Sequence, residues 1–431
     1  MKDGGVTRVL TVPATIVRPR LQVCFVTETY TPEINGVAMT LQRLVNGLRD
    51  RRHEVRIVRP RPPDTELSDS ASDDLETLVR GAPVPGYRSV RIGTPAWRQL
   101  RACWAARRPD VVYVATPGPL GWAAVHTANR LRIPLLSGFH TDFPSYVRHY
   151  GLAAFARGAT LYLRWLHNRT DGTVVPTLDL LERLCDEGFE NLMLLGRGVD
   201  SRVFSPGRRD PSLRAAWGAR PTELVVLYVG RLAREKNVAL AIEAFRAMRQ
   251  VGAVRHLVIV GDGPLRVELQ ATHPDVRFCG PQRGALLAAH YASADVFLFP
   301  SETETFGNVV LEAMASGLAV VAFDYAAARV HISSGETGVL VPRGDRRGFI
   351  AAAVTLAGSP SDVAGLRRAA RSLAVLLDWE AVIDRFETLL IDAVAAWAFQ
   401  SVNRRRRRIR EHFSVSGWSA GTSSRRGGAV W

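Results

Sequence analysis

Short aliphatic and β-branched runs alternate with helix-length amphipathic segments along almost the whole chain. The runs predict strands at 21–27 (LQVCFVT), 54–59, 110–115 (DVVYVA), 134–138, 171–175 and 191–195. A second set is predicted at 223–229 (ELVVLYV), 255–260, 275–279, 295–299 (DVFLF), 318–322 and 338–341. These runs are apolar throughout rather than alternating with polar positions, the mark of strands buried on both faces of a parallel sheet. The pattern predicts an α/β protein with two Rossmann-like, doubly wound domains. Such domains, set facing each other, bring the carboxyl ends of both sheets to one cleft. Function is therefore expected in the loops that follow strands.

Punctuation sets the boundaries. Residues 196–222 contain Gly196, Gly198, Pro206, Gly207, Pro211 and Pro221 and read as an interdomain connection between domains at 21–195 and 223–377. Residues 1–20 form an extension. Residues 60–86, with five prolines and an acidic cluster from Asp69 to Glu76, read as a long surface loop. Residues 378–400 have apolar positions at helical spacing and are expected to form a helix that crosses back. The Ser, Gly and Arg of 401–431 read as a disordered tail.

Composition narrows the class. With 431 residues, 47% apolar and 23% charged, neither wholesale disorder nor a disulfide scaffold is expected. The four cysteines lie roughly 80 to 95 residues apart, without zinc or redox-motif spacing, which fits buried thiols in a reducing cytoplasm. There is no apolar stretch of 18 residues, and the first twenty residues lack the apolar run of a signal peptide, so a cytoplasmic protein is expected. The tail carries eight arginines against one glutamate, a net +7 of the total +15. What remains on the body argues little for nucleic acid. Lysine occurs only at Lys2 and Lys236 among 56 basic residues. A lysine kept against that bias points to a need for a compact ammonium at 236.

Four loops carry candidate chemistry. In 299–322 (FPSETETFGNVVLEAMASGLAVVA) a strand is followed by a polar loop, and a helix is expected to begin near Gly307 and Asn308. The free amides of its first turn attract an anion, and Gly307 permits close backbone approach. Glu304 and Glu312 flank that anion site. Beside a phosphate they would be repelled, so they are read as acceptors of hydrogen bonds from neutral sugar hydroxyls. In 228–238 (YVGRLAREKNV), Arg231 and Lys236 lie five apart across a turn and are placed to converge on a diphosphate leaving group. In 27–38 (TETYTPEINGVA), Asn35 and Gly36 open a helix whose amides would approach a phosphate or the acceptor. In 137–151 (SGFHTDFPSYVRHYG), His140 directly follows a strand. Asp110, Asp171 and Asp295 each open a strand and read as turn residues. There is no Asp-x-Asp element.

Through these windows the chain resembles the retaining glycosyltransferases of the two-Rossmann-domain (GT-B) type, family 4, over about residues 21–395. The 299–322 window matches their Glu-x7-Glu motif. The resemblance is strongest to bacterial GDP-mannose-dependent α-mannosyltransferases, near sulfoquinovosyl- and glycolipid-forming glucosyltransferases, through TETYTPEINGVA and GFHTDFPSYVRHYGL. It implies a nucleotide-sugar donor, GDP-mannose, as substrate, with no cofactor and no metal. It further implies that Glu304 binds the transferred hexose, Glu312 the ribose, and Arg231 and Lys236 the diphosphate. Thr305, Phe306, Gly307 and Asn308 would line the sugar diphosphate, and His140 would meet the sugar near the anomeric carbon. The loop of Asn35, Gly36 and Val37 would close over the diphosphate from the first, acceptor-side domain, while Gly261 and Asp262 line the nucleotide side. Two positions depart from the pattern: Ala319 stands where the family commonly has Pro, and Val330 where Glu is expected.

The acceptor is not specified by these residues. Segments 96–108 and 152–169 mix Trp, Tyr, Phe and Arg at helical spacing, which suits either a core-facing helix or one lying on an anionic bilayer. A glycolipid role at the inner face of the cell membrane is one expectation. A UDP-hexose-dependent glycolipid synthase, or an epimerase or phosphorylase of the same fold, is another. A basic nucleic-acid binder, the reading from a different class, rests on the tail alone.

Overall fold

The computed structural model describes residues 18–415 other than 34, 63–74, 85–86, 142–152 and 253. Each of the twelve apolar runs forms a strand. In the first domain β1 (Gln22–Val26), β2 (Glu54–Pro60), β3 (Glu76–Val79), β6 (Val111–Val114), β7 (Leu135–Gly138), β8 (Gly172–Val175) and β9 (Leu192–Leu194) form one sheet ordered β3-β2-β1-β6-β7-β8-β9. All of its pairings are parallel. The second sheet is ordered β12-β11-β10-β13-β14-β15, from β10 (Leu224–Val229), β11 (Val254–Val260), β12 (Arg277–Gly280), β13 (Val296–Phe299), β14 (Ala319–Phe323) and β15 (Val339–Val341). It too is parallel throughout. Both orders reverse direction once, at β1/β6 and at β10/β13. Beyond the carboxyl ends of strands at such a switch point the chain leaves a crevice, the usual ligand position in this architecture.

The expected surface loop at 60–86 needs correction. Its end contributes β3 to the sheet edge and β4 (Gly81–Val84) to an antiparallel pair with β5 (Tyr87–Gly93). The acidic cluster itself lies mostly outside the described residues. The expected connection also begins to pack early: Phe204, Trp217 and Ala219 belong to the core of the second domain, and the short helix Pro211–Ala216 caps itself on Asp210.

Asp110, Asp171 and Asp295 perform one structural task. Each carboxylate accepts an amide at the start of a neighbouring strand: Gln22 at 2.7 Å, Leu135 at 2.8 Å and Val225 at 3.0 Å. Asp295 also gathers Arg209, Arg214 and Arg367 at 3.0, 3.0 and 2.8 Å. Ala319 donates its amide to the Asp295 carbonyl, a bond the family's common proline could not make. Val330 is half exposed on the helix Ala326–His331.

The helix Trp379–Val415 crosses back to the first domain. Ile383, Phe386, Leu389 and Leu390 complete one face of the first sheet, beside Val23, Phe25 and Tyr113. Gly47 makes room for them, since a Cβ there would lie 2.3 Å from Ile383 Cδ1. Buried Glu387 fixes the crossing by accepting from Arg18 at 2.5 Å and from His53 Nε2 at 3.0 Å. The His53 tautomer follows from its other nitrogen, which accepts the Leu21 amide at 3.1 Å. The helix continues through Arg404 to Arg408 as far as Val415, so the tail expected to be disordered is helical over 401–415. Residues 416–431 lie outside the described residues.

Candidate active site

At the β10/β13 crevice two loops lock together. The Lys236 ammonium donates to Thr303 O at 2.7 Å and to Glu304 Oε1 at 2.5 Å. The same Glu304 oxygen accepts from Ser301 Oγ at 2.8 Å, and Tyr325 donates to the Glu304 carbonyl at 2.7 Å. An ammonium has three protons and a carboxylate two oxygens. One Lys236 proton and Glu304 Oε2 therefore keep capacity for a ligand. Arg231 sits on the same loop, within 3.8 Å of the fully buried Glu235. Gly261 and Gly263 let the neighbouring loop run against it, since Cβ atoms there would lie 1.9 Å from Gly230 O and 2.4 Å from Leu232 O. Asp262 turns its carboxylate back onto the Gly263 amide at 2.9 Å.

Gly307, at φ +94°, turns the β13 loop into the helix Asn308–Ala315 in a conformation that L side chains resist. Phe306 is buried in the core, so a ligand would meet only its backbone, while Asn308 Oδ1 is buried without a hydrogen-bond partner. From the first domain, Asn35 caps the helix Gly36–Asp50 by accepting the Ala38 amide at 2.9 Å. Val37 packs its side chain onto the first domain's core. A Cβ on Gly36 would stand 3.8 Å from Asn308 Nδ2. Two helix amino ends, one from each domain, thus face each other across the cleft. Their partial positive charges repel unless an anion lies between them.

Glu312 lies in the second turn of its helix and lines a cavity of about 290 Å³ with Met39, Arg43, Asp200, Asn308 and Trp379. It accepts from Tyr291 Oη at 2.9 Å, and burial pushes its carboxyl up from 4.5 to about 7. The folded state then holds that proton more tightly than the unfolded one, so stability falls as pH rises from about 4.5 through about 7. Glu312→Gln is expected to remove this dependence. In urea unfolding at pH 5 and pH 8 the variant should gain on the wild type by about 1–3 kcal/mol across that interval. Parallel stabilities would show that the carboxyl ionises at its ordinary pKa.

His140 follows β7 as expected, but both its nitrogens are engaged. Arg197 donates to Nδ1 at 2.6 Å, which leaves the proton on Nε2 to bond Tyr113 Oη at 2.8 Å. Burial, reinforced by the Arg197 charge, holds the ring well below the usual imidazole range and therefore neutral. Arg197 is itself buried, and one of its terminal nitrogens, Nη1, has no partner. Burial lowers its pKa to about 10, which still leaves it charged. Asp142 and the rest of that loop lie outside the described residues. Sequence reasoning missed Arg197, Ser301, Tyr291 and Tyr325. Only Arg197 carried a signal, as a charged residue between two glycines beyond a strand.

A family model described as glycosyltransferase family 4 matches residues 34–203, and one described as glycosyl transferases group 1 matches residues 223–359. The chain is 37% identical over 329 residues to a GDP-mannose-dependent alpha-mannosyltransferase of Mycobacterium tuberculosis (strain CDC 1551 / Oshkosh), covering 75% of this chain and 85% of that one. The chain belongs to glycosyltransferase family 4. A protein of the same description from Mycolicibacterium smegmatis is 38% identical over 74% of this chain and 84% of its own. Among solved structures, Anabaena HepE in complex with UDP superposes with a TM-score of 0.68 at 18% identity, covering 86% of this chain and 99% of that one. Sucrose-phosphate synthase of Thermosynechococcus elongatus gives 0.70 at 19%, covering 87% and 100%. This family 4 glycosyltransferase therefore has the GT-B fold, and its two switch-point crevices face one shared cleft.

Proposed function

We propose that this glycosyltransferase moves mannose from GDP-mannose to an acceptor hydroxyl with retention of the α configuration. The observation that carries the reading is the pair of opposed helix amino ends at Gly36 and Asn308, with Lys236 and Arg231 beside them. That arrangement suits a diphosphate held between the domains. The mannosyl and guanosine parts are taken from the relatives named above.

As the bond from the anomeric carbon to the phosphate oxygen breaks, charge grows on the departing diphosphate. The remaining Lys236 proton, the Arg231 guanidinium and the helix amides stabilise it most at that moment, which lowers the barrier rather than merely tightening binding. The acceptor oxygen bonds the anomeric carbon from the same face, and its proton passes to the departing phosphate oxygen. Glu304 Oε2 holds a hexose hydroxyl, and Glu312 the ribose. With both ring nitrogens bonded, His140 shapes the sugar pocket as a neutral group. These cations carry the leaving-group charge, so the reading includes no metal.

Calorimetry should show GDP-mannose binding at least about tenfold more tightly than UDP-glucose, and transfer should survive excess EDTA. The reverse preference would turn the reading toward a UDP-hexose enzyme, and loss of transfer in EDTA would end the metal-free mechanism. For location we propose a cytoplasmic enzyme resting on the inner face of the membrane. Exposed Trp97, Tyr162 and Trp165 support this, as does the run of arginines from 404 to 408. Among the described residues no single helix is long and apolar enough to span a bilayer. Vesicles containing anionic lipid should float the protein at low salt, and indifference to lipid charge would count against this location.

A further inference from the structure

The groups assigned to the donor lie mainly in the second domain, yet transfer also needs a group that orients the acceptor. The first domain has its own switch-point crevice, at β1/β6, and Glu28 stands in it. Its amide donates to Thr116 Oγ1 at 2.8 Å in the loop after β6, and its Oε1 accepts the Leu120 amide at 3.1 Å at the start of the helix Pro119–Leu131. Gly118 makes the seat, since a Cβ there would lie 2.0 Å from Oε2.

His140, Thr29 and Asn35 on this edge already have partners. His140 has both nitrogens bonded. Thr29 donates to Glu33 at 2.5 Å and accepts from Asn35 at 2.6 Å, and Asn35 in turn accepts the Ala38 amide. Arg197 can only donate. Glu28 differs. A carboxylate offers about four lone-pair positions. One here takes an amide, Oε2 has no hydrogen-bond partner among the described residues, and none of them forms an ion pair with it. The side chain is only partly buried, so a ligand can reach it. A carboxylate without a cation repels phosphate and is satisfied by hydroxyls.

We propose that Glu28 is an acceptor-binding residue: Oε2 takes a hydrogen bond from a hydroxyl of a neutral sugar or polyol, and any phosphate on the acceptor lies away from the β1/β6 crevice. The proposal rests on the transfer reading given under Proposed function. Burial pushes the Glu28 carboxyl up to about 7, as expected for a group still lacking donors.

The test uses the full chain with GDP present. Binding of methyl α-D-mannopyranoside and of its 6-phosphate is read by saturation-transfer NMR, and GDP binding by calorimetry. Glu28→Gln keeps the volume and the bond from Leu120 but replaces acceptor capacity with an amide donor. The variant should bind GDP within about twofold of wild type and bind methyl mannoside about tenfold more weakly. In the wild type the phosphorylated sugar should bind no more tightly than the neutral one. Equal mannoside binding in both proteins, tighter binding of the phosphate, or no mannoside binding by a wild type that holds GDP overturns this proposal alone. A wild type that holds no GDP overturns the donor reading and this proposal with it.

Discussion

Lys236→Ala should lower kcat by about 10²- to 10³-fold while leaving the fold intact, because in the proposed mechanism the ammonium acts on charge that appears only as the diphosphate departs. GDP binding should weaken as well, since the bound product carries that same charge. Glu304→Gln keeps the shape of the loop but cannot form the 2.5 Å ion pair or accept a hexose hydroxyl as strongly. Its kcat should fall comparably while GDP binding stays near wild type. The two residues share one contact, so the double variant should lose less than the product of the single losses. Single-turnover transfer from GDP-mannose, with calorimetry on GDP, measures all three. A Lys236→Ala enzyme that keeps more than about a fifth of its turnover would remove the ammonium from the mechanism.

The largest stability loss is expected at Asp295, which directly precedes β13 and is not among the residues assigned to the donor. The residue is 2% exposed, and its carboxylate binds three arginines and a strand amide. Asp295→Ala leaves the buried Arg214 guanidinium without its counter-charge and unties the start of β10. A cost of about 3–5 kcal/mol is expected, a large part of the stability of an ordinary domain. Chemical unfolding should show it as a drop in midpoint. Asp295→Asn, which keeps one acceptor oxygen, should recover part of the loss. A change below about 1 kcal/mol would mean that the arginines find other partners.

What the chain makes legible follows from which forces act locally. Both sheets were readable because a parallel strand covered on two faces must be apolar at every position, and β6, β10 and β13 are such runs. The loops after β10 and β13 stood out because each follows an apolar strand and because their whole windows resemble the family's, and the fold brings Lys236, Glu304 and Gly307 together at one crevice. The pairing of Lys236 with Glu304 was not readable, since they are 68 residues apart and meet only through strand order. Tyr291, which bonds Glu312, looks like one more apolar residue of its helix. The engagement of His140 by Arg197 depends on β7 and β9 being placed in one sheet, which no local pattern encodes. β3 and β4 were hidden by prolines and by the acidic stretch before them, which resemble a loop until an edge is available for pairing. The arginines from 404 to 408 argue for disorder by composition, yet they extend a helix already nucleated by buried Ile383 and Phe386.

That same helix ties the order of synthesis to the order of folding. One wall of the amino-terminal half is supplied by Ile383, Phe386, Leu389 and Leu390, which leave the ribosome long after β9 has been made. Until then the growing chain exposes an uncovered greasy surface and must wait, or be sheltered, before its first half can close. Cutting the gene between the two halves would accordingly yield a carboxyl-terminal piece that carries a sticky, unmatched rod and an amino-terminal piece that lacks its lid.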